Sequence, residues 1–422
     1  MNTFSIVFLL VLALATLMRL WLGWRHIGHI QAHRTAVPGG FADRIGLDAH
    51  QRAADYTCAK TRLNAIAVVF DAAVLLIFTF GGGLQAVDHI AASFFDGDIA
   101  RGITFVALLM IIMSVIELPF DLYRTFVIEQ RFGFNKMTIA MFFGDLAKHA
   151  AIGAVLVLPL LFAVLWLMGK MGSMWWLYVW LVAVGFMIFV QFIAPTVIAP
   201  LFNKFTPMAP GDLKEAILSY ARSVNFPIKN VSVMDGSRRS SKSNAFFTGF
   251  GRNKRIALFD TLIAQHTVPE MVAVLAHEVG HYKKKHILQG TIVSILHTGV
   301  IFFLLSLFLD SPGLYQAFYM GQESIYAGML FFAFLYTPIG LLLSIVMQMV
   351  SRKNEYEADR FAAETIDEPR NLINALRKLS ATNLSNLTPH PFYVLLNYSH
   401  PPLIQRIQAI QGTKRENGVA LG

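Results

Sequence analysis

The sequence predicts a mainly α, multi-pass membrane protein of about seven transmembrane helices, with polar regions that carry a small β-hairpin. Three observations predict it. The 422 residues are 55% hydrophobic and only 14% charged, against roughly 45–50% and about 25% in soluble globular chains. The mean hydropathy is +0.54. Seven segments reach the roughly twenty apolar residues that a helix needs to cross a hydrocarbon core.

The first of these, Phe4 to Trp24, has no small-residue cleavage site after it, so it reads as an anchored span rather than a removed signal. The spans fall near 3–24, 63–87, 102–122, 150–169, 174–200, 288–309 and 327–350. Only a few residues around Lys170 join the fourth to the fifth, which predicts a tight helical hairpin. Four regions follow: a membrane region with five spans over 1–201, a polar region over 202–287, spans six and seven over 288–350, and a second polar region over 351–422. No internal repeat is present, which argues against solenoids and inverted-repeat transporters.

Charge orients the chain. Loop 25–62 carries Arg25, Arg34, Arg44, Arg52, Lys60 and Arg62, whereas loop 88–101 carries Asp88, Asp96 and Asp98 against Arg101. Loop 310–326 has Asp310 and Glu323 and no Lys or Arg. The first, third and fifth loops and the C-terminal tail are the basic ones, so they face the cytoplasm and the N-terminus lies outside. The net charge of +9 thus belongs to cytoplasmic loops and lipid head groups. No basic run is interleaved with a nucleic-acid recognition element, so no nucleic-acid partner is expected. The single Cys58 excludes an internal disulfide and a Cys-rich metal cluster.

The chemistry begins in "VLAHEVGHYKKKHILQG", residues 274–290, which runs into the sixth span. Thr267 caps this helix, Pro269 suits its first turn and Glu270 complements the positive dipole end. Val272, Leu275, Ala276 and Val279 share one apolar face. His277 and His281, four residues apart, project from one side, where two nitrogens can bind one tetrahedral zinc. Glu278 is placed to take a proton from the zinc's water. A surface histidine pair without metal is the bland alternative.

A third ligand is available in "SRKNEYEADRFAAE", residues 351–364. Glu355 completes a His2Glu set that leaves one position for water, and Asp359, one turn on, can hydrogen-bond a ligating histidine. Glu357 competes as a ligand but points about 160° away on the helix. A solvated helix laced with Glu/Arg pairs is the alternative for this stretch. Two membrane crossings separate His281 from Glu355, and an even number returns Glu355 to the histidines' side. The polar regions then form a zincin-like metalloprotease domain.

Upstream, "SNAFFTGFGRNKRIALFDTL" reads as two β-runs, about 244–250 and 255–260, around a Gly-Arg-Asn-Lys turn. An exposed strand there can take substrate backbone by β-augmentation, or the hairpin simply stabilises the domain. Downstream, His400 precedes two prolines and is either an oxyanion donor or a turn-capping residue. Asp71, Glu117 and Asp121 lie in or near spans and mark a watery chamber, a proton path or interhelical contacts. His297 in the sixth span reads as a packed or hydrogen-bonded histidine.

With these motifs the chain resembles the Ste24-type CAAX prenyl proteases, integral-membrane zinc metalloproteases of the M48 family. The matching pieces are "FVIEQRFGFNKMT" (126–138), "SNAFFTGFGRNKRIALFDTL" (243–262), "LAHEVGHYKKKH" (275–286), "SRKNEYEADRFA" (351–362) and "NYSHPPLIQRI" (397–407), in the family's order. The resemblance implies one Zn2+ per chain held by His277, His281 and Glu355, with Glu278 as general base. It implies Asp359 and Arg406 as supporting residues, His400 as a substrate or oxyanion contact, and Asn244, Ala245, Phe246 and Phe247 as binders of substrate backbone. It implies cleavage after a prenylated cysteine near a protein C-terminus and spans that enclose a large intramembrane chamber. The expected partners are the lipid bilayer and a peptide or protein substrate, prenylated or membrane-bound. The C-terminus "KRENGVALG" shows no endoplasmic-reticulum retention signal, and the minimal loops look prokaryotic, so a bacterial inner membrane is expected. Two alternatives stay open: a quality-control protease of the HtpX kind, and a transporter or lipid-binding protein with a structural, four-ligand zinc site.

Overall fold

The computed structural model describes residues 2–39, 41, 45–248, 254–320 and 323–416. Arg44, the 251–253 turn residues and the tail 417–422 therefore lie outside the described residues.

Seven helices are long and apolar enough to cross a membrane: Thr3–Ala32, Leu47–Thr79, Asp98–Glu129, Ile139–Lys170, Gly172–Phe202, His286–Phe308 and Ile325–Thr365. The fourth and fifth form the expected hairpin, turning at Met171 and at Gly172, whose φ of +53° suits a residue without a Cβ. The second span differs from its expected limits of 63–87. Its helix starts sixteen residues earlier, at Leu47, and ends at Thr79. Polar residues 47–62 were read as loop, yet Ala53, Tyr56 and Leu63 pack with Ile128, Phe132 and Phe134, so tertiary contacts extend the helix beyond its apolar stretch. After Phe80 caps its end, Gly82 in the left-handed region (φ +79°) starts a short helix, Gly83–Phe94, which buries Leu84, Val87 and Ala91.

The seventh-span helix runs unbroken for 41 residues, about 60 Å at 1.5 Å per residue, longer than the ~30 Å hydrocarbon core needs, and its C-terminal part packs in the polar domain. Pro338 is accommodated within it. His297 donates to or accepts from Tyr336 Oη at 2.8 Å, the packed role expected of it. Asp121 pairs with Arg124 at 2.9 Å, and Asp71 faces a small cavity shared with Arg19.

The polar domain holds a four-stranded sheet of β1 (Phe205–Pro207), β2 (Ile228–Met234), β3 (Ala245–Thr248) and β4 (Lys254–Phe259), in the order β1-β2-β4-β3. β3 and β4 form the expected antiparallel pair, with Ala245 opposite Leu258, and β2 runs parallel to β4. β3 is thus an edge strand. The core joins β2 and β4 (Val231, Ile256, Leu258) to helices Asp212–Ser223, Val268–Lys283, Pro369–Thr382 and Leu403–Glu416 through Ile217, Leu275, Leu372 and Ile410.

Candidate active site

The histidine helix, Val268–Lys283, occupies the centre of that core. It begins with a capping box in which the Thr267 N–H donates to Glu270 Oε2 at 2.9 Å. Glu270 also pairs with Lys378 at 2.6 Å. Burial favours the protonated Glu270, but the Lys378 and Thr267 hydrogen bonds outweigh it and hold the carboxyl below its usual range. The expected single apolar face is too narrow: Met271, Ala273, Val274, Leu275, Ala276, Val279 and Gly280 are all buried. Neighbours surround the helix because the seventh-span helix crosses it on the side the sequence left polar. The two meet at Gly280, where an added Cβ would lie 3.0 Å from Ala358 Cα and 3.0 Å from Ala358 O. The chain then turns at Lys285 (φ +60°) directly into the sixth span.

This crossing brings the expected ligands together. His277 Nε2 lies 3.2 Å from His281 Nε2 and 3.6 Å from Glu355 Oε2, and His281 Nε2 lies 3.3 Å from Glu355 Oε1. One ligand atom from each of the three lies within 4.8 Å of the others. Glu355 is 4% exposed, and its Oε2 has no hydrogen-bond partner. A buried carboxylate oxygen with only a long ion-pair contact and no hydrogen bond is costly, and a cation between Glu355 and the two imidazoles would satisfy it. Two imidazoles and a carboxylate suit a borderline divalent ion. The donor set therefore fits a metal.

Each histidine is held from behind. Asp359 Oδ1 lies 2.8 Å from His277 Nδ1, and Arg406 clamps Asp359 through Nε at 2.8 Å and Nη2 at 2.7 Å. Arg406 Nη1 also lies 3.4 Å from Glu355 Oε2. Asp359 and Arg406 are both buried, so each compensates the other's charge. On the second histidine, His281 Nδ1 meets His286 Nδ1 at 2.9 Å, and His286 Nε2 meets Glu357 Oε2 at 3.2 Å. The sequence reading missed His286 and treated Glu357 only as a rival ligand. The helical direction that turns Glu357 away from Glu355 aims it at His286, and "HYKKKH" holds the signal.

Glu278 and His400 border one cleft of about 710 Å3 with His277, Glu355, Asn244 and Ala245. Burial pushes the Glu278 carboxyl up, against the pull of His277 and His281. Exposed His400 places Nε2 3.3 Å from Glu355 Oε1, with Nδ1 2.9 Å from Ser399 Oγ. The Phe259 N–H donates to the Asn244 carbonyl at 3.2 Å, so Ala245 turns its backbone polar groups to the free edge of β3. Its N–H is met by Asn244 Oδ1 at 2.8 Å. The backbones of Phe246 and Phe247 continue β3, while their side chains lie outside the described residues. The far wall of the cleft is the polar start of the second span, with Tyr56, Thr57, Lys60, Thr61 and Asn64.

Seven spans together with a His/His/Glu cluster and a carboxylate beside it define a membrane-embedded metalloendopeptidase. Comparison with known proteins makes the assignment specific. Residues 26–204 match the CAAX prenyl protease N-terminal model of five membrane helices, and residues 207–414 match peptidase family M48. The chain is 34% identical to CAAX prenyl protease 1 of Saccharomyces cerevisiae over 89% of this chain and 88% of that one. It is 32% identical to the CAAX prenyl protease 1 homolog of Caenorhabditis elegans over 98% and 99%. The crystal structure of S. mikatae Ste24p superposes with a TM-score of 0.91 at 31% identity, covering 97% of this chain and 99% of that one. The chain belongs to peptidase family M48.

Proposed function

We propose that this chain is a zinc endopeptidase, with one zinc per chain, that cuts membrane-tethered substrates near their C-terminus on the cytoplasmic side of the membrane. The observation that carries the proposal is the buried Glu355 carboxylate, brought back across a membrane hairpin to within 3.6 Å of both histidine Nε2 atoms. Zinc held by His277, His281 and Glu355 supplies the Lewis acidity that makes water nucleophilic near pH 7. Glu278 takes the water's proton as the scissile carbonyl is attacked and returns it to the leaving amine. A carboxyl pushed up by burial suits both halves of that transfer. His400 donates to the developing oxyanion, and Asn244 with the free edge of β3 from Ala245 to Phe247 pairs with substrate backbone. Asp359, tied down by Arg406, fixes the tautomer and aim of His277.

The protease portion is built from 202–287 and 351–422, split by spans six and seven. On this reading the site lies at the bilayer lip, where a lipid-linked peptide arrives with its anchor in the membrane. The relatives named CAAX prenyl protease 1 support a prenylated C-terminal substrate. The basic loops support the cytoplasmic orientation, and the minimal loops a bacterial inner membrane. Reconstituted enzyme should cleave a farnesylated CAAX peptide and be inactivated by chelation. Cleavage of unfolded membrane proteins with no action on the prenylated peptide would instead establish the quality-control reading.

A further inference from the structure

The same cleft holds a second charged cluster, away from the histidines, in which two lysines share one carboxylate. Lys242 Nζ lies 2.8 Å from Glu129 Oε2 and 2.7 Å from Tyr56 Oη, and Tyr56 donates to Glu129 Oε1 at 2.5 Å. Lys60 and Lys242 both sit over the Tyr56 ring, 5.1 and 5.0 Å from its centroid. Glu129 answers Lys242, and among the described residues Lys60 has no carboxylate within ion-pair distance. Arg124, another cation acting on Lys60, is already paired with Asp121 at 2.9 Å. Half-buried Lys60 therefore faces the cleft without a direct ion-pair partner, offset only at longer range by Glu129, which Lys242 already engages. Asn64, one helical turn on, lines the same wall with an amide.

The edge strand indicates which anion belongs there. Lys242 and Ser243 lie three and two residues before β3, and Asn383 fixes this approach by accepting from the Ser243 N–H at 3.0 Å and donating to the Ser243 carbonyl at 3.1 Å. A peptide paired antiparallel to β3 runs opposite to it, so its C-terminal end lies beside Lys242 and Lys60. A parallel peptide would bring its N-terminal end there and leave the surplus cation unanswered. Three extended residues span about 10 Å, so a short C-terminal peptide can reach from the scissile bond to the chain end within one cleft.

We propose that Lys60, assisted by Asn64, receives the free C-terminal carboxylate of the substrate, with Lys242, Glu129 and Tyr56 holding the pocket's shape. The cleft thereby measures the cut from the chain end. This inference rests on the peptidase reading above and names the substrate feature that reading leaves open.

The test uses one prenylated peptide sequence in two forms, free acid and C-terminal amide, with full-length enzyme in detergent or liposomes. Wild type should lose roughly tenfold to a hundredfold in kcat/KM from acid to amide, the weight of one charge-assisted hydrogen bond. Lys60→Met should cleave both forms at one slow rate, and Lys60→Arg should restore the preference for the acid. Melting temperature and metal content establish that each variant is folded. Equal cleavage of acid and amide by wild type overturns the inference and leaves the peptidase reading standing. A Lys60→Met enzyme that still prefers the acid overturns it too. Cleavage of neither form overturns both.

Discussion

Gly280→Ala places a methyl group where the histidine helix and the seventh-span helix touch. The new Cβ would stand 3.0 Å from Ala358 Cα, 3.0 Å from Ala358 O and 3.3 Å from Phe361 Cβ. Ordinary carbon contacts lie at ~3.5–4.0 Å, so the helices must part by about 0.5 Å. Two of the three clashing atoms are backbone and cannot rotate aside. Gly280 lies between His277 and His281, and Ala358 lies between Glu355 and Asp359, so the displacement falls on the ligands themselves. Ligand distances tolerate only about ±0.2 Å. Overpacking of this kind costs about 1–3 kcal/mol. Expressed wholly in metal binding, that is a loss of about 5-fold to 150-fold at 1.4 kcal/mol per decade. The assay is zinc content after dialysis against graded chelator, paired with peptidase activity at low and saturating zinc. Activity should fall at low zinc and return in part when zinc is raised. Unchanged metal affinity and activity would refute the claim that this contact sets the ligand geometry.

Two further outcomes follow from the supporting shell. Asp359→Asn keeps the shape but removes buried Arg406's nearest counter-charge, leaving only Glu355 at 3.4 Å, so the variant should melt earlier by circular dichroism and bind zinc about 10–100-fold more weakly. Glu270→Gln should destabilise the domain by about 1 kcal/mol at pH 7, through the weakened cap and lost Lys378 pair. The folded carboxyl is held below its usual value of 4.5, so the stabilisation is full above about pH 4.5 and disappears as pH falls through the folded value. Denaturant titration of wild type and variant should therefore converge in acid, and a constant difference at all pH values would contradict the pairing.

The parts legible in the sequence were those carried by local pattern. Span number came from apolar length, the Lys170 hairpin from its short connection, and His277, His281 and Glu355 from helical spacing plus an even count of crossings. The β3–β4 pair came from a turn signal between two β-runs. What stayed hidden depended on partners distant in sequence. Residues 47–62 look like a polar loop until Ile128 and Phe134 are packed against Tyr56 and Ala53. β2, running parallel to β4, shows only weak alternation in "IKNVSVM". The glycine of "HEVGH" carries no signal of its own in the sequence, and its close approach to Ala358, on an element separated by two spans, explains it. His286 and Glu357 likewise acquire a role only once the two helices cross.

The central claim is that a metal held by His277, His281 and Glu355 works with Glu278 to hydrolyse a peptide bond. Glu278→Gln removes the base while leaving every ligand in place. Purified variant should retain one zinc per chain and the wild-type melting temperature, yet cleave the farnesylated peptide at least about a thousandfold more slowly, within the roughly 10²–10⁴ expected of a general base. Undiminished cleavage by zinc-loaded Glu278→Gln enzyme, free of contaminating protease, would contradict the account.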